Sequence, residues 1–402
     1  MIHLPSEQKL SLYSVLLTLT AFALSANAIP PLATTIAQQF TVSYEAFGYV
    51  FMLQYLCFTC ASLSGGYLHH RCGISSRILV LAGVFGTAVL FLVGSMLSGF
   101  FWVLSWIVPL GFAGGLTETF SSVLIAGFEQ GNSSRLMNLS QVFYCIGAIA
   151  SPQLAAILLE AHLSWRLAFL ILGICTLCIG IIFMRFNKPI SPPLRPQPTS
   201  QPIGTPRQMQ LPLRHDRLFY LMALLLFLYV VIEISSASWI AAYFEKSFHL
   251  SASMAARRLS LFWTGLILGR VMMLVVPARF TLWPGLIGGS FGMCIGNTLL
   301  AFSGSYGTAT ASIFIVGMAA GPIWPIIVML SQHMRGSARF TSGVIGIGAL
   351  GAALGPFLGS LVIRSCGVEE FFPVLSGASM VLLGLILVTK YTRTRSTNAY
   401  EI

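Results

Sequence analysis

Runs of about 20 apolar residues recur along the whole chain, and each is long enough to cross ~30 Å of hydrocarbon as an α-helix. Only 8% of the 402 residues are charged and 56% are hydrophobic, whereas soluble domains carry about 25% charged residues. The chain is therefore predicted to be an all-α polytopic membrane protein with twelve transmembrane helices, which the internal repeat described below divides into two pseudo-symmetric six-helix bundles.

The first predicted helix starts near residue 10 and ends or bends at Pro30 and Pro31, since proline lacks the N–H that a helix interior needs. The other eleven are predicted at residues 46–68, 78–97, 101–128, 136–159, 167–184, 218–244, 259–276, 282–302, 308–330, 341–363 and 371–391. Residues 185–217 are rich in Pro, Gln, Thr and basic residues and lack the apolar area needed to order themselves. We therefore expect an N-terminal bundle at 1–184, a cytoplasmic linker at 185–217 and a C-terminal bundle at 218–402.

The net charge of +11 would suggest a nucleic-acid partner in a soluble chain. Here most of the Lys and Arg residues fall in alternate loops, which fits the basic bias of cytoplasmic loops. We expect a multi-pass protein of the inner membrane, with both termini cytoplasmic, acting as a monomer without nucleic acid. The sequence has no P-loop, nucleophile elbow or Cys/His metal signature, so we expect neither an enzyme nor a cofactor.

The two halves of the sequence resemble each other. Three pairs of segments match in chain order at offsets of 208, 206 and 204 residues. They are QFTVS at 39–43 with SFHLS at 247–251, GFAGG at 111–115 with GMAAG at 317–321, and the 17-residue spacing from Arg135 to Pro152 with that from Arg339 to Pro356. Parallel repeats of this kind place a transport site between the halves at mid-membrane. The repeat also gives the first helix a counterpart, so we expect it to be retained rather than cleaved as a signal peptide.

Two carboxyl groups fall inside predicted spans, Glu118 and Glu233. A carboxylate at bilayer depth costs roughly 2.5 to 3.5 kcal/mol on insertion scales and marks function by default. Glu118 is our leading proton carrier, and Glu233 is a second candidate. Arg270 could pair with Glu118 or extend its guanidinium to the membrane surface. The repeat places Trp324 at the position matching Glu118.

Polar and aromatic residues within the spans are candidate substrate contacts. Amides suit neutral polyhydroxyl ligands because they both donate and accept, and tryptophan rings can form apolar platforms for a sugar. The candidate set is Asn27, Gln54, Asn138, Gln141, Tyr144, Ser238, Trp239, Trp263 and Trp324.

A loop after the second predicted helix carries a family resemblance. The spacing of Gly66, Leu68, Arg71, Gly73 and Arg77 resembles the loop between helices 2 and 3 of the major facilitator superfamily, roughly G-x-L-x-D-R-x-G-R-R. His70 stands where that family has an aspartate. The resemblance implies the major facilitator fold and a conformational role for Arg71 and Gly73, to which we add Arg270.

A narrower resemblance rests on TETFSSVLIAGFEQ, RLMNLSQVFYCIGAIASP and GPIWPIIVMLSQ, which look like segments of the proton-coupled fucose symporter family and its glucose-transporting relatives. It implies that Glu118 is the helix 4 carboxylate and that Asn138 and Gln141 are the helix 5 amides. Asn27 stands in the region where the fucose symporter has an aspartate. We expect a secondary transporter of a small polar solute, with a sugar favoured and coupling to protons or sodium. Export of amphipathic compounds, transport of a siderophore or lipid, and ligand sensing without transport stay open.

Overall fold

The structure is a computed structural model, and it describes residues 6–128, 133–187, 216–275, 282–335 and 338–398. Those residues form fourteen α-helices that make twelve membrane-length rods, because two rods are each built from two pieces. The bounds are α1 Ser6–Ala26, α2 Ala33–Gln39, α3 Phe47–Arg71, α4 Ser76–Gly94, α5 Phe100–Gly127, α6 Ser133–Glu160, α7 Trp165–Phe186, α8 Arg217–Ser247, α9 Ala252–Val275, α10 Trp283–Ala301, α11 Tyr306–Ala320, α12 Ile323–Arg335, α13 Ala338–Cys366 and α14 Phe371–Asn398. The predicted twelve-helix, all-α architecture is confirmed.

Proline explains both two-piece rods. The first rod has a short 3₁₀ turn at Pro30–Leu32 between α1 and α2, and the other breaks before Pro322, between α11 and α12. Helix 10, predicted at residues 308–330, is one membrane-length segment at Tyr306–Gln332. It is divided into two helices at Pro322, a division that was not predicted, because proline removes a donor and its ring clashes with the preceding turn. Helix 8 also starts at Ala252, seven residues earlier than predicted, so Arg257 and Arg258 lie on α9 rather than in a loop.

Ten segments of the described chain are long and apolar enough to cross a membrane by themselves. The helices α9 and α10 are not among these ten segments. Helix α9 packs against α6 and α11, and helix α10 packs against α11 and α14. Four helix pairings dominate the first half: α1 with α6, α3 with α5, α4 with α5 and α4 with α7. The second half repeats them as α8 with α13, α9 with α11, α10 with α11 and α10 with α14. The fold is therefore two bundles with one packing pattern.

The predicted repeat is visible at atomic detail in the contacts of two glycines. A Cβ atom built on Gly111 would lie 2.2 Å from the carbonyl oxygen of Gln54, and one built on Gly317 would lie 2.1 Å from that of Phe262. Such distances exclude any side chain, so α5 meets α3 and α11 meets α9 backbone to backbone. Thr41 and His249, at the 208-residue offset, also share an unusual backbone φ of 52°.

The halves meet mainly through α6 with α9 and α3 with α13. We call the side where α7 ends and α8 begins the linker end, and the other side the distal end. At the distal end, Thr34 Oγ1 donates to Glu245 Oε2 at 2.5 Å and Arg257 pairs with Glu160. One apolar core, which includes Phe51 and Trp239, spans both halves there, while a separate cluster fills the linker end of the first half. The halves are thus closed against each other at the distal end. Residues 188–215 of the predicted linker lie outside the described residues.

Candidate functional site

A polar cluster occupies the seam between the two halves, and Arg270 of α9 is at its centre. Arg270 Nη1 donates to Gln141 Oε1 of α6 at 2.7 Å, which joins the second half to the first. The same nitrogen lies 3.9 Å from Cys145 Sγ. The carboxyl group of Glu233 on α8 interacts electrostatically with the half-buried guanidinium, although no N–O distance within the pair is as short as 4.0 Å. An ionised Glu233 would offset the positive charge of Arg270, which would reduce the cost of holding both groups at membrane depth.

The cluster also holds the break between α11 and α12. Pro322 and Pro325 have no N–H, so they cannot donate to the carbonyl groups of Met318 and Gly321 as helical residues would, and carbonyl groups at the break need other donors. Tyr229 Oη donates to the carbonyl oxygen of Ala320 at 3.0 Å, and Arg270 Nε donates to that of Gly321 at 3.4 Å. Tyr229 lies one helical turn before Glu233, with which its hydroxyl group interacts. The break is therefore tied to the carboxyl group and to the seam.

Aromatic side chains extend the cluster toward the distal end. Tyr144 of α6 packs edge-on against Trp263 of α9, with ring centroids 5.8 Å apart. Tyr55 of α3 lies within electrostatic range of both Tyr144 and Glu233. Ser260 Oγ continues the seam by donating to the carbonyl oxygen of Ile149 at 3.0 Å.

A cavity of about 150 Å³ adjoins Arg270 and Gln141. Its other walls are apolar and come from α6, α9, α12 and the residue preceding α12, with Pro322, Met273 and Met329 among them. A small solute bound here would meet one amide and one guanidinium against hydrophobic walls, which is the usual composition of a small-molecule site.

Glu118 lies apart from this cluster, on α5 in the first half. It is half-buried, and no hydrogen bond or ion pair to it is found among the described residues. Ser121, on the same side of α5, shares a 2.6 Å hydrogen bond with Thr18 of α1, and Gly115 packs against the backbone of Phe58 in α3. Glu118 thus faces the crevice between α1 and α3. Arg270, which could have paired with it, is bonded to Gln141 instead.

Three of the remaining candidate residues have structural roles, and no role is assigned to the others. Asn27 Nδ2 donates to the carbonyl oxygen of Ala23 at 2.9 Å and so caps α1, and Ser238 Oγ donates to that of Ile234 in its own helix. Trp239 is fully buried, and its indole N–H donates to the carbonyl oxygen of Pro356 at 3.0 Å. These contacts use the polar atoms for packing. Gln54 is buried, Trp324 is half-buried against the main core, and the side chain of Asn138 lies outside the described residues.

The loop between α3 and α4 forms a turn in which Gly73 has a φ of +69°, a conformation that favours glycine. Arg71 is exposed at the end of α3. Arg77, a neighbour in the same motif, donates to the carbonyl oxygens of Met184 and Asn187 and so caps the end of α7. Arg77 therefore connects this motif to the end of α7.

Sequence reasoning missed Tyr55 and Tyr229. Both could have been found by position, because Tyr229 precedes Glu233 by one helical turn and Tyr55 is next to Gln54. The role of the carbonyl groups at the α11–α12 break had no sequence signal beyond Pro322. No group of three or more potential metal ligands occurs among the described residues.

Comparisons with known proteins agree with this architecture. The sequence matches the Major Facilitator Superfamily over residues 15–356. It is 24% identical to Bypass of stop codon protein 6 of Saccharomyces cerevisiae over 413 residues, covering 94% of this chain and 81% of that protein. It is 22% identical to the glucose/mannose transporter GlcP of Bacillus subtilis over 296 residues, covering 72% of each.

Among solved structures, the fold is similar to that of a bacterial homologue of the human lysosomal transporter Spinster in an inward-facing, occupied conformation. The TM-score is 0.70 at 15% identity, with 96% of this chain and 94% of that one covered. The match covers both bundles, and the family match covers most of the chain. This chain therefore belongs to the Major Facilitator Superfamily and has that family's transporter fold.

Proposed function

We propose that this protein is a secondary active transporter that moves a sugar or similar small polar solute across the inner membrane, coupled to protons through Glu118. The observation that carries the proposal is the charge-compensated cluster of Glu233, Arg270 and Gln141 at the seam between the halves. Because its charges balance, the cluster has no surplus charge for an ionic solute, and its amide suits a hydroxyl-rich one. The likeness to the glucose/mannose transporter GlcP supports the same substrate class.

Glu118 supports the coupling step. A carboxyl group with no partner among the described residues, facing a crevice in a low-dielectric bundle, favours its neutral form and can exchange a proton when water reaches it. The resemblance of its segment to the fucose symporter family points the same way. The placement of basic residues supports an orientation with both termini and the linker in the cytoplasm. The closed distal end then faces outward.

The test uses purified protein in proteoliposomes with an imposed pH gradient. Glu118→Gln should abolish accumulation of D-glucose or L-fucose while leaving counterflow exchange intact, because exchange needs binding but no net proton movement. Glu7→Gln is the matched control, since Glu7 is exposed at the start of α1. Unchanged accumulation in Glu118→Gln would show that Glu118 takes no part in coupling. Accumulation that depends on a sodium gradient would show that sodium, and not the proton, is the coupling ion.

Export of amphipathic compounds is a second candidate, favoured by the apolar walls of the cavity beside Arg270. A thermal-shift screen of the purified protein against sugars, hydrophobic cations and chelates separates the two. Stabilisation by hydrophobic cations alone would overturn the sugar assignment.

A further inference from the structure

Trp263 carries a buried hydrogen-bond donor without an acceptor. Its side chain is 1% exposed, and its indole N–H has no hydrogen-bond partner among the residues that the structure describes. Buried polar groups in native proteins are nearly always paired, so each exception requires an explanation. A donor kept for a ligand is one such explanation.

The other buried tryptophans make Trp263 the exception. Trp106 donates to the carbonyl oxygen of Leu90, Trp165 to the side chain of Gln39 and Trp239 to the carbonyl oxygen of Pro356. Each of these three tryptophan side chains is buried, with 5% exposure or less. Within the described chain, the bundle therefore satisfies its buried indoles except at this position.

The unpaired indole lies at a contact between the two halves. Trp263 belongs to α9 of the second half, and the ring it packs against, Tyr144, belongs to α6 of the first. Ile267 and Arg270, which line the cavity of about 150 Å³, follow Trp263 by one and two helical turns. All three therefore lie along one stripe of α9. Trp263 does not line the cavity itself and lies about 10 Å from Arg270 along α9. Separation of the halves would expose its indole on the same face of the helix.

We propose that Trp263 is a specificity-determining residue whose indole N–H donates to an oxygen acceptor of the transported solute at the seam between α6 and α9. The inference rests on the proposed function and refines it, since it assigns recognition of one hydroxyl or ring oxygen to this donor. A solute that lacks the oxygen leaves the donor unpaired, and sites built in this way discriminate strongly against such analogues.

The experiment compares Trp263→Phe with Trp239→Phe in the full-length purified protein. Both variants replace a fully buried indole with a smaller benzyl ring, but only Trp239→Phe also breaks a hydrogen bond, the one from the indole N–H to the carbonyl oxygen of Pro356. Without ligand, Trp239→Phe should lower the Tm by about 2 °C more than Trp263→Phe does, because it also loses a hydrogen bond that contributes about 1 kcal/mol. Equal losses of Tm would mean that the Trp263 N–H is already bonded in the protein, and would overturn the inference.

Binding is then measured calorimetrically with D-glucose, D-galactose and L-fucose, and with the mono-deoxy derivatives of the tightest of the three. Trp263→Phe should weaken binding about tenfold to a hundredfold and abolish the penalty for one deoxy position, whereas Trp239→Phe should keep the wild-type pattern. An unchanged deoxy pattern in Trp263→Phe would overturn the assignment. If wild-type protein binds none of the sugars, the proposed function fails, and the ligand-free comparison still decides whether the donor is free.

Discussion

Removing the positive charge at the seam should destabilise the protein mainly through the carboxyl group left behind. In Arg270→Met, the 2.7 Å hydrogen bond to Gln141 is lost and Glu233, which is 7% exposed, loses its compensating cation. Breaking a buried ion pair from one side costs about 3–5 kcal/mol. We take the lower end, about 3 kcal/mol, because the two groups act through space rather than at a direct N–O contact. At roughly 2 °C per kcal/mol, the Tm should fall by about 6 °C.

The decisive measurement is the double variant. If the cost comes from the uncompensated carboxylate, Glu233→Gln in the Arg270→Met background should recover at least half of the lost Tm. Arg257→Met is the matched control, because Arg257 also joins the halves by an ion pair, but both partners are exposed. Exposed pairs contribute about 0–1 kcal/mol, so its Tm should change by about 2 °C or less. A double variant as unstable as Arg270→Met alone would refute the electrostatic reasoning.

Two further predictions follow from close backbone contacts. Gly317→Ala should lower the Tm clearly, because its Cβ would lie 2.1 Å from the carbonyl oxygen of Phe262, whereas Gly377→Ala, with no atom within 4 Å of the added Cβ, should not; equal thermal shifts would contradict this. Gly48→Leu should separate α3 from α13 at the distal end, because its Cβ would lie 2.1 Å from Ser360 Oγ. Spin-label distances between the exposed distal ends of those helices should lengthen, and an unchanged distribution would show that the contact does not hold the halves closed.

The fold could be predicted from sequence because its causes are local and repeated. Apolar runs of bilayer length determine the number of helices, and the sequence match between the halves predicts that their helices pack in equivalent pairs. The errors have equally local causes. The break at Pro322 was not predicted because it lies inside an apolar run. The start of α9 at Ala252 was not predicted because two charged residues, Arg257 and Arg258, are typical of a loop.

The candidate site was less predictable because it depends on which side chains meet across the seam. Glu118 and Arg270 were considered as partners, yet Arg270 contacts Gln141 and interacts with Glu233. Trp239 and Trp263 are both buried tryptophans, but an acceptor lies opposite the indole N–H of Trp239 and none is found among the described residues for that of Trp263. Pairings of this kind are set by the rotation and depth of each helix, which a single sequence does not encode in any short pattern.

The glycine contacts shared by the two halves bear on how such a protein can change over evolutionary time. At Gly111 and Gly317 two helices of the same half touch through backbone atoms, so the fit depends on the absence of a side chain on the glycine and not on the side chain of the residue opposite. Gln54 and Phe262 occupy the same place in their halves and have nothing chemically in common. Substitutions of the side chains opposite these glycines can therefore accumulate while the backbone contacts that hold the bundle together stay intact. The architecture of this chain is therefore less sensitive to side-chain substitution at Gln54 and Phe262 than to the gain of a single methyl group at Gly111 or Gly317.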